Sequence, residues 1–318
     1  MIGSAFHQNP ALPPESSLRE ALAGGDAILA ASVPVLRHLL GPADPTMFCD
    51  AAIAQIRGMI RNLAGHLLAA RAEASDMRDP DAFIAQGEDR LAQLLAADDA
   101  LLSYAHSLAL ETVLAERLQS ATALDPVVSP LLQDLIAAGD EEGAGLAMEA
   151  LAAQARFLQQ QQRMELPPRE LPDAQFLKAL LAMRAHAGAD DLDAQRAETV
   201  LREQRRAHPG RLVLIEDLLT ETHLQAASRL SAAHAGLAVC LSALALASGQ
   251  NRSTLVLSIF ARGSLRSALA MRAAGLEAEQ VERQLAMLGA DPFAGDDLAA
   301  MSPQQAAMLL SGSAAVAG

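Results

Sequence analysis

The stretch DPTMFCDAAIAQIRGMIRNLAGHLLAAR, residues 44–71, decides the fold class. Ile53, Ile56, Ile60, Leu63 and Leu67 recur every three or four residues, while Arg57, Arg61 and Arg71 lie largely off that line. This is the period of a helix with one buried stripe, not the alternation of a half-buried strand. The helix is expected to start after Asp44-Pro45-Thr46. A second stripe of the same kind runs through Leu101, Leu102, Ala105, Ala109, Val113 and Leu114.

Composition extends this reading to the whole chain of 318 residues. Hydrophobic residues make up 51% but aromatics only 3%, with no Trp and one Tyr, Tyr104. Ala and Leu, the strongest helix formers, carry the apolar content. Residues that favour strands are sparse. The fold class is therefore all-α, built as stacked helical hairpins in a HEAT-like α-solenoid or as a two-unit helical bundle.

Prolines and glycines punctuate the chain. Residues 1–14 hold three prolines and read as a flexible arm. Pro34, Pro80, Pro126 and Pro130 are expected between helices or at their starts. LPPRELP, residues 166–172, cannot be helical throughout, since three prolines fall in seven residues. It is taken as a junction between an N-terminal helical unit, 15–165, and a C-terminal unit, 173–290. Residues 291–318 form a tail with one short helix opened by Ser302 and Pro303, ending in a frayed SGSAAVAG.

The charge map bounds function. The net charge is −14, which repels nucleic acid and anionic membranes overall. The most apolar run, Ala232 to Ala247, is shorter than the roughly 20 residues of a membrane span and reads as a buried helix. The start of the chain lacks a charged region followed by an apolar one, so no signal peptide and a cytoplasmic location are expected. Cys49 and Cys240 sit in apolar runs and read as buried, reduced side chains.

Chemistry-bearing motifs give way to structural readings. Asp140-Glu141-Glu142 and Asp190-Asp191-Leu-Asp193 resemble metal-binding acidic clusters, but both stand where a helix begins, so capping is expected. His66, His106 and His186 lie on amphipathic helices. His223 and His234 are eleven residues apart, too far along one helix to share an ion. No HExxH, nucleophile elbow or phosphate-binding glycine loop occurs. Gly263-Ser264 reads as a helix break with its cap. No catalytic, cofactor-binding or metal residue is assigned, and no cofactor is expected.

One asymmetry stands out. From Thr222 to Leu276 there is no Asp or Glu, and the segment carries Arg229, Arg252, Arg262, Arg266 and Arg272. It is therefore +5, leaving −19 for the rest of the chain. Either these arginines pair with acids elsewhere in the chain, or they form a docking face for an acidic protein partner, with Arg252, Arg262, Arg266 and Arg272 as its contacts. The same region admits a helix-turn-helix reading over 241–260. Ala245 and Gly249 would stand at the turn, and Asn251, Arg252, Ser253 and Thr254 would open a recognition helix. Val256, Leu257, Ile259 and Phe260 leave such a helix little polar face.

Residues 151–172 (LAAQARFLQQQQRMELPPRELP) and 244–276 (LALASGQNRSTLVLSIFARGSLRSALAMRAAGL) together resemble a helical family of α-proteobacteria, domain of unknown function 2336. The resemblance covers the C-terminal half and implies a HEAT-like shape. It implies no activity and no site residues. The expected function is a non-enzymatic scaffold or adaptor for protein–protein interaction, with self-association through alanine-rich faces. The alternatives are a regulatory DNA-binding protein, and an enzyme or ligand-binding bundle whose site is assembled only in space.

Overall fold

The computed structural model describes residues 15–40, 50–138, 140–188, 191–260, 264–290 and 297–313. The arm 1–14, Cys49, Asp190, Arg262, Gly263 and the last residues 314–318 lie outside the described residues. Among the described residues the chain is all-α, with no strand. In order the helices are α1 (Glu15–Leu40), α2 (Asp50–Ala74), α3 (Pro80–Ala96), α4 (Asp99–Thr122), α5 (Pro130–Ala137) and α6 (Glu141–Gln162). A 3-10 turn, Pro168–Glu170, precedes α7 (Asp173–Ala187), α8 (Leu192–Ala207) and α9 (Arg211–Glu221). The short helices α10 (Ala226–Arg229) and α11 (Ala232–Ala235) lead into α12 (Leu237–Ser248), α13 (Arg252–Ile259), α14 (Leu265–Ala273) and α15 (Ala278–Met287). The chain closes with α16 (Asp297–Ala300) and α17 (Pro303–Gly312).

Local chemistry sets most of these boundaries. The side chains of Asp79, Asp98, Ser129, Asp140, Asp191, Asn251 and Ser302 each accept a backbone N–H in the first turn of the helix that follows. Asp140 and Asp191 thus cap helices, as their positions suggested. Pro80, Pro130 and Pro303 stand at helix starts. Pro34 does not: it lies inside α1 on the exposed side, where its ring meets solvent. The apolar run 232–247 is broken by Gly236, which adopts φ +78° and separates α11 from α12. No described helix is long and apolar enough to cross a membrane.

The apolar side chains form two cores, and these do not follow the boundary expected at 166–172. One core holds Ile56, Leu63, Leu67, Leu91, Leu102, Leu108 and Phe157, together with Phe176, Leu180 and Leu201 from beyond the junction. The other holds Leu114, Leu118, Leu132, Ala147 and Ala150 with Leu218, Leu241, Leu255, Leu269 and Leu285. Residues 173–201 therefore pack with the N-terminal core, and 114–150 with the C-terminal one. The reason is length. α1, α4 and α6 have 26, 24 and 22 residues, which is about 33–39 Å at the helical rise. Each is long enough to serve both cores. In a solenoid each repeat touches its neighbours in sequence. Here α1 packs on α14 and α2 on α8, so the architecture is a bundle rather than a stack.

Candidate functional site

The acid-free segment meets its counter-charges inside the fold. Arg252, the first residue of α13, donates from Nη1 to Glu111 Oε2 at 2.8 Å and from Nη2 to Oε1 at 2.9 Å. Its Nε donates to Ser242 Oγ at 3.1 Å. Glu111 lies on α4, 141 residues away. From the other side Arg211 of α9 forks the same carboxylate at 2.7 and 3.1 Å. Arg211 also donates to Gln154 Oε1 at 3.0 Å, and its guanidinium lies 3.6 Å from the Phe157 ring centroid. Its backbone N–H donates to Glu170 Oε2 at 3.0 Å, so the carboxylate of the 3-10 turn caps α9 from outside. Tyr104 Oη donates to the Glu170 carbonyl at 2.6 Å.

Glu111 and Arg211 are 3% and 1% exposed. Burial alone would push the Glu111 carboxyl up, but Arg211 and then Arg252 more than reverse this and hold it well below the usual carboxylate range. Burial raises the Tyr104 hydroxyl. The cluster contains two carboxylates and two guanidiniums, so its charge is balanced around the buried pair Glu111 and Arg211.

Arg266 and Arg272 are buried as well. Arg266 forks Asp26 of α1 at 2.8 and 2.6 Å. Arg272 donates to the carbonyls of Leu276 and Met301. Of the expected docking face, Arg266 and Arg272 are thus turned inward, Arg266 onto an acid of the N-terminal half and Arg272 onto two carbonyls and Glu277, while Arg252 meets Glu111 and keeps an edge on the cleft described below. Arg262, the fourth candidate, lies outside the described residues.

The recognition-helix reading meets the same correction. Leu255, Val256, Leu257, Ser258 and Ile259 are buried. Asn251 caps α13, Arg252 faces Glu111, and Ser253 Oγ accepts a hydrogen bond from Ser107. Only the start of α13 reaches the surface, with Asn251 exposed and Arg252, Ser253 and Thr254 half-buried.

The surface that does open beside this cluster is a cleft of about 310 Å³ where the proline junction meets α8, α9, α12 and α13. Glu170, Ser242 and Arg252 belong to its wall, with Leu171, Pro172, Leu212, Val213, Ala245 and Leu246 as the apolar part. Arg205 is held in place at one side. It donates to Asp173 at 2.6 Å and to the Leu171 carbonyl at 2.9 Å, and it stacks 4.8 Å from the Phe176 ring. The bottom of the cleft depends on Gly210. A Cβ there would come 2.3 Å from the Arg169 carbonyl oxygen, so only glycine lets α9 start against the junction. A second recess of about 440 Å³ shares Arg169 and is lined also by Arg156, His208 and Glu149.

Sequence reasoning did not find Glu111 or Asp26, and it counted Arg211 only in a basic run with Arg202, Arg205 and Arg206. Nothing in the local sequence distinguishes Glu111 from other acids on helices, and its role comes from two arginines 100 and 141 residues away. Among the described residues no three His, Cys, Asp or Glu side chains gather as a metal site. Cys240 is buried, and burial pushes its thiol up to about 12. The chain matches no protein-family model, no curated protein and no solved structure.

Proposed function

We propose that this chain is a non-enzymatic helical scaffold that docks another protein, with the junction cleft as its contact surface. One observation carries the reading: apolar side chains stand exposed beside pre-positioned guanidiniums in a single recess. Val213 and Leu246 are 40% and 48% exposed, and Arg169, Arg205 and Arg252 surround them. Interface anchors are commonly apolar side chains in pockets, accompanied by arginine. Arg205 is already ordered by its stack and its two hydrogen bonds, so binding would cost it little further freedom. Glu170, Asp173 and Glu216 line the same cleft, so the partner segment that fits carries an apolar anchor flanked by both acidic and basic groups. A protein partner also suits a chain of net charge −14 better than nucleic acid does. The cytoplasmic location, self-association and kinship with the domain-of-unknown-function family, carried by residues 151–172 and 244–276, belong to the same proposal.

The test is a photoreactive residue at position 246 of the full chain, with one at exposed Met308 as control. A discrete partner crosslinked from 246 alone supports the reading. Capture that is unchanged by Val213→Glu or Arg205→Glu refutes it. A second reading, a small anionic ligand, is favoured by the cleft volume and its polar wall of Ser242 and Arg252. A saturable rise in Tm with such a ligand, removed by Arg205→Gln, would select it.

A further inference from the structure

α1 is fastened along a narrow line. Among the described side chains Leu22, Asp26, Leu29 and Leu36 are buried and Leu18 and Val33 pack beside them, a spacing that follows one stripe of a helix. Leu22 joins the C-terminal core and Leu36 the N-terminal one. Between them Asp26 meets the Arg266 fork. The remaining donors of Arg266 reach Gln250 Oε1 and, at 2.7 Å, Ser313 Oγ. Arg266 is 5% exposed. Arg266 thus sits beneath α1, in a groove that α13 and α14 form together with α2 and α4. That groove is fitted to a helix that presents leucines on both sides of one carboxylate.

The helix lying in the groove is a poor helix by itself. Gly24 and Gly25 stand in its middle, and a Cβ at either would meet nothing within 4 Å. No packing constraint therefore calls for glycine at these positions, yet both depress helicity, as does Pro34 further along. What keeps α1 helical is the groove. A better helix with the same stripe and the same carboxylate would compete with it. A helix without the carboxylate would leave a buried guanidinium unmatched.

We propose that the groove beneath α1 is a docking site for an amphipathic, carboxylate-bearing helix of another protein, and that α1 is its built-in competitor. The proposal rests on the scaffold reading but uses a surface separate from the junction cleft. The partner helix needs leucine-like residues at the places of Leu22, Leu29 and Leu36, with Asp or Glu at that of Asp26. Because α1 is tethered in cis, the partner's apparent affinity is lowered by the fraction of chains in which α1 is docked.

The probe is a labelled peptide with the sequence of residues 15–40 carrying Gly24→Ala, Gly25→Ala and Pro34→Ala, titrated with the full chain by fluorescence anisotropy. Saturable binding is expected, at least tenfold weaker when the probe also carries Asp26→Asn. A full chain carrying Gly24→Ala and Gly25→Ala holds its own α1 more firmly and should bind the probe about 20-fold more weakly, the ratio that two ordinary Gly→Ala gains give. Hydrogen exchange provides a second measurement on the unmodified chain, in which α1 amides should exchange faster than those of α4. No binding, binding indifferent to Asp26, or α1 exchange as slow as that of α4 overturns the proposal. A doubled mass in light scattering that returns to the single-chain mass with Asp26→Asn overturns the choice of a foreign helix in favour of α1 from a second copy. Leu246→Glu should leave probe binding unchanged, so the groove and the junction cleft stand or fall separately.

Discussion

Replacing Glu111 with Gln should be among the most damaging single changes in this chain. The substitution keeps the shape and removes the charge that both Arg211 and Arg252 fork. Arg211 is 1% exposed, so its charge cannot turn to water for compensation. Breaking a buried pair from one side costs about 3–5 kcal/mol, a large share of the roughly 5–15 kcal/mol that holds a domain folded. Urea unfolding followed by circular dichroism measures it, and the loss should lower the midpoint by more than about 1 M at the slope of ~1–3 kcal/mol/M seen for small proteins. The double variant with Arg252→Gln should be far less destabilised than the sum of the single changes. The pH dependence gives a separate check. The Glu111 carboxyl is depressed in the folded state, so its contribution is complete above the unfolded value of 4.5 and is lost as pH falls below it. The gap between wild type and Glu111→Gln should therefore be constant above about pH 5 and narrow below about pH 4.5. A loss under about 1 kcal/mol, additive behaviour with Arg252→Gln, or a gap that widens in acid would refute the assignment.

Three further outcomes are expected. His106 is buried, its Nδ1 finds no partner, and burial lowers its pKa from 6.5 to about 4; the unfolded chain then binds a proton that the folded chain refuses, so stability should fall by about 3 kcal/mol from pH 6.5 to pH 4, and His106→Gln should flatten that slope in denaturation curves. Gly210→Ala forces a Cβ against the Arg169 carbonyl and should cost about 1–3 kcal/mol, read as a lowered Tm, with faster exchange of the α9 amides. In a Cys49→Ser background the Cys240 thiol, 4% exposed and raised to about 12, should resist thiol reagents at pH 8 until the chain opens; rapid labelling of the native protein would contradict its burial.

Local physics made much of this molecule readable in the amino-acid order. The stripe Ile53 to Leu67 faces a core, as its period requires. Asp140 and Asp191 cap helices because a short acidic side chain before a helix finds free N–H groups within three residues. The proline run keeps the chain from resuming the helix α6, which ends at Gln162 with Met164 in the left-handed region, because proline lacks the donor that a helix needs. Each of these depends on neighbours within about a turn.

The pairing of charges was not readable in this way. The sequence displayed an acid-free segment carrying five arginines and left open whether those charges were matched within the chain or exposed to a partner. Only the tertiary structure brings Glu111 between Arg211 and Arg252, and Asp26 against Arg266. It also makes one bundle of what looked like two units, because α1, α4 and α6 are long enough to run through both cores. The physical reason is the range of the forces. Helix period and capping are set by bonds a few residues long, whereas a buried charge is decided by whichever opposite charge the packed chain delivers, here from as far as 240 residues away.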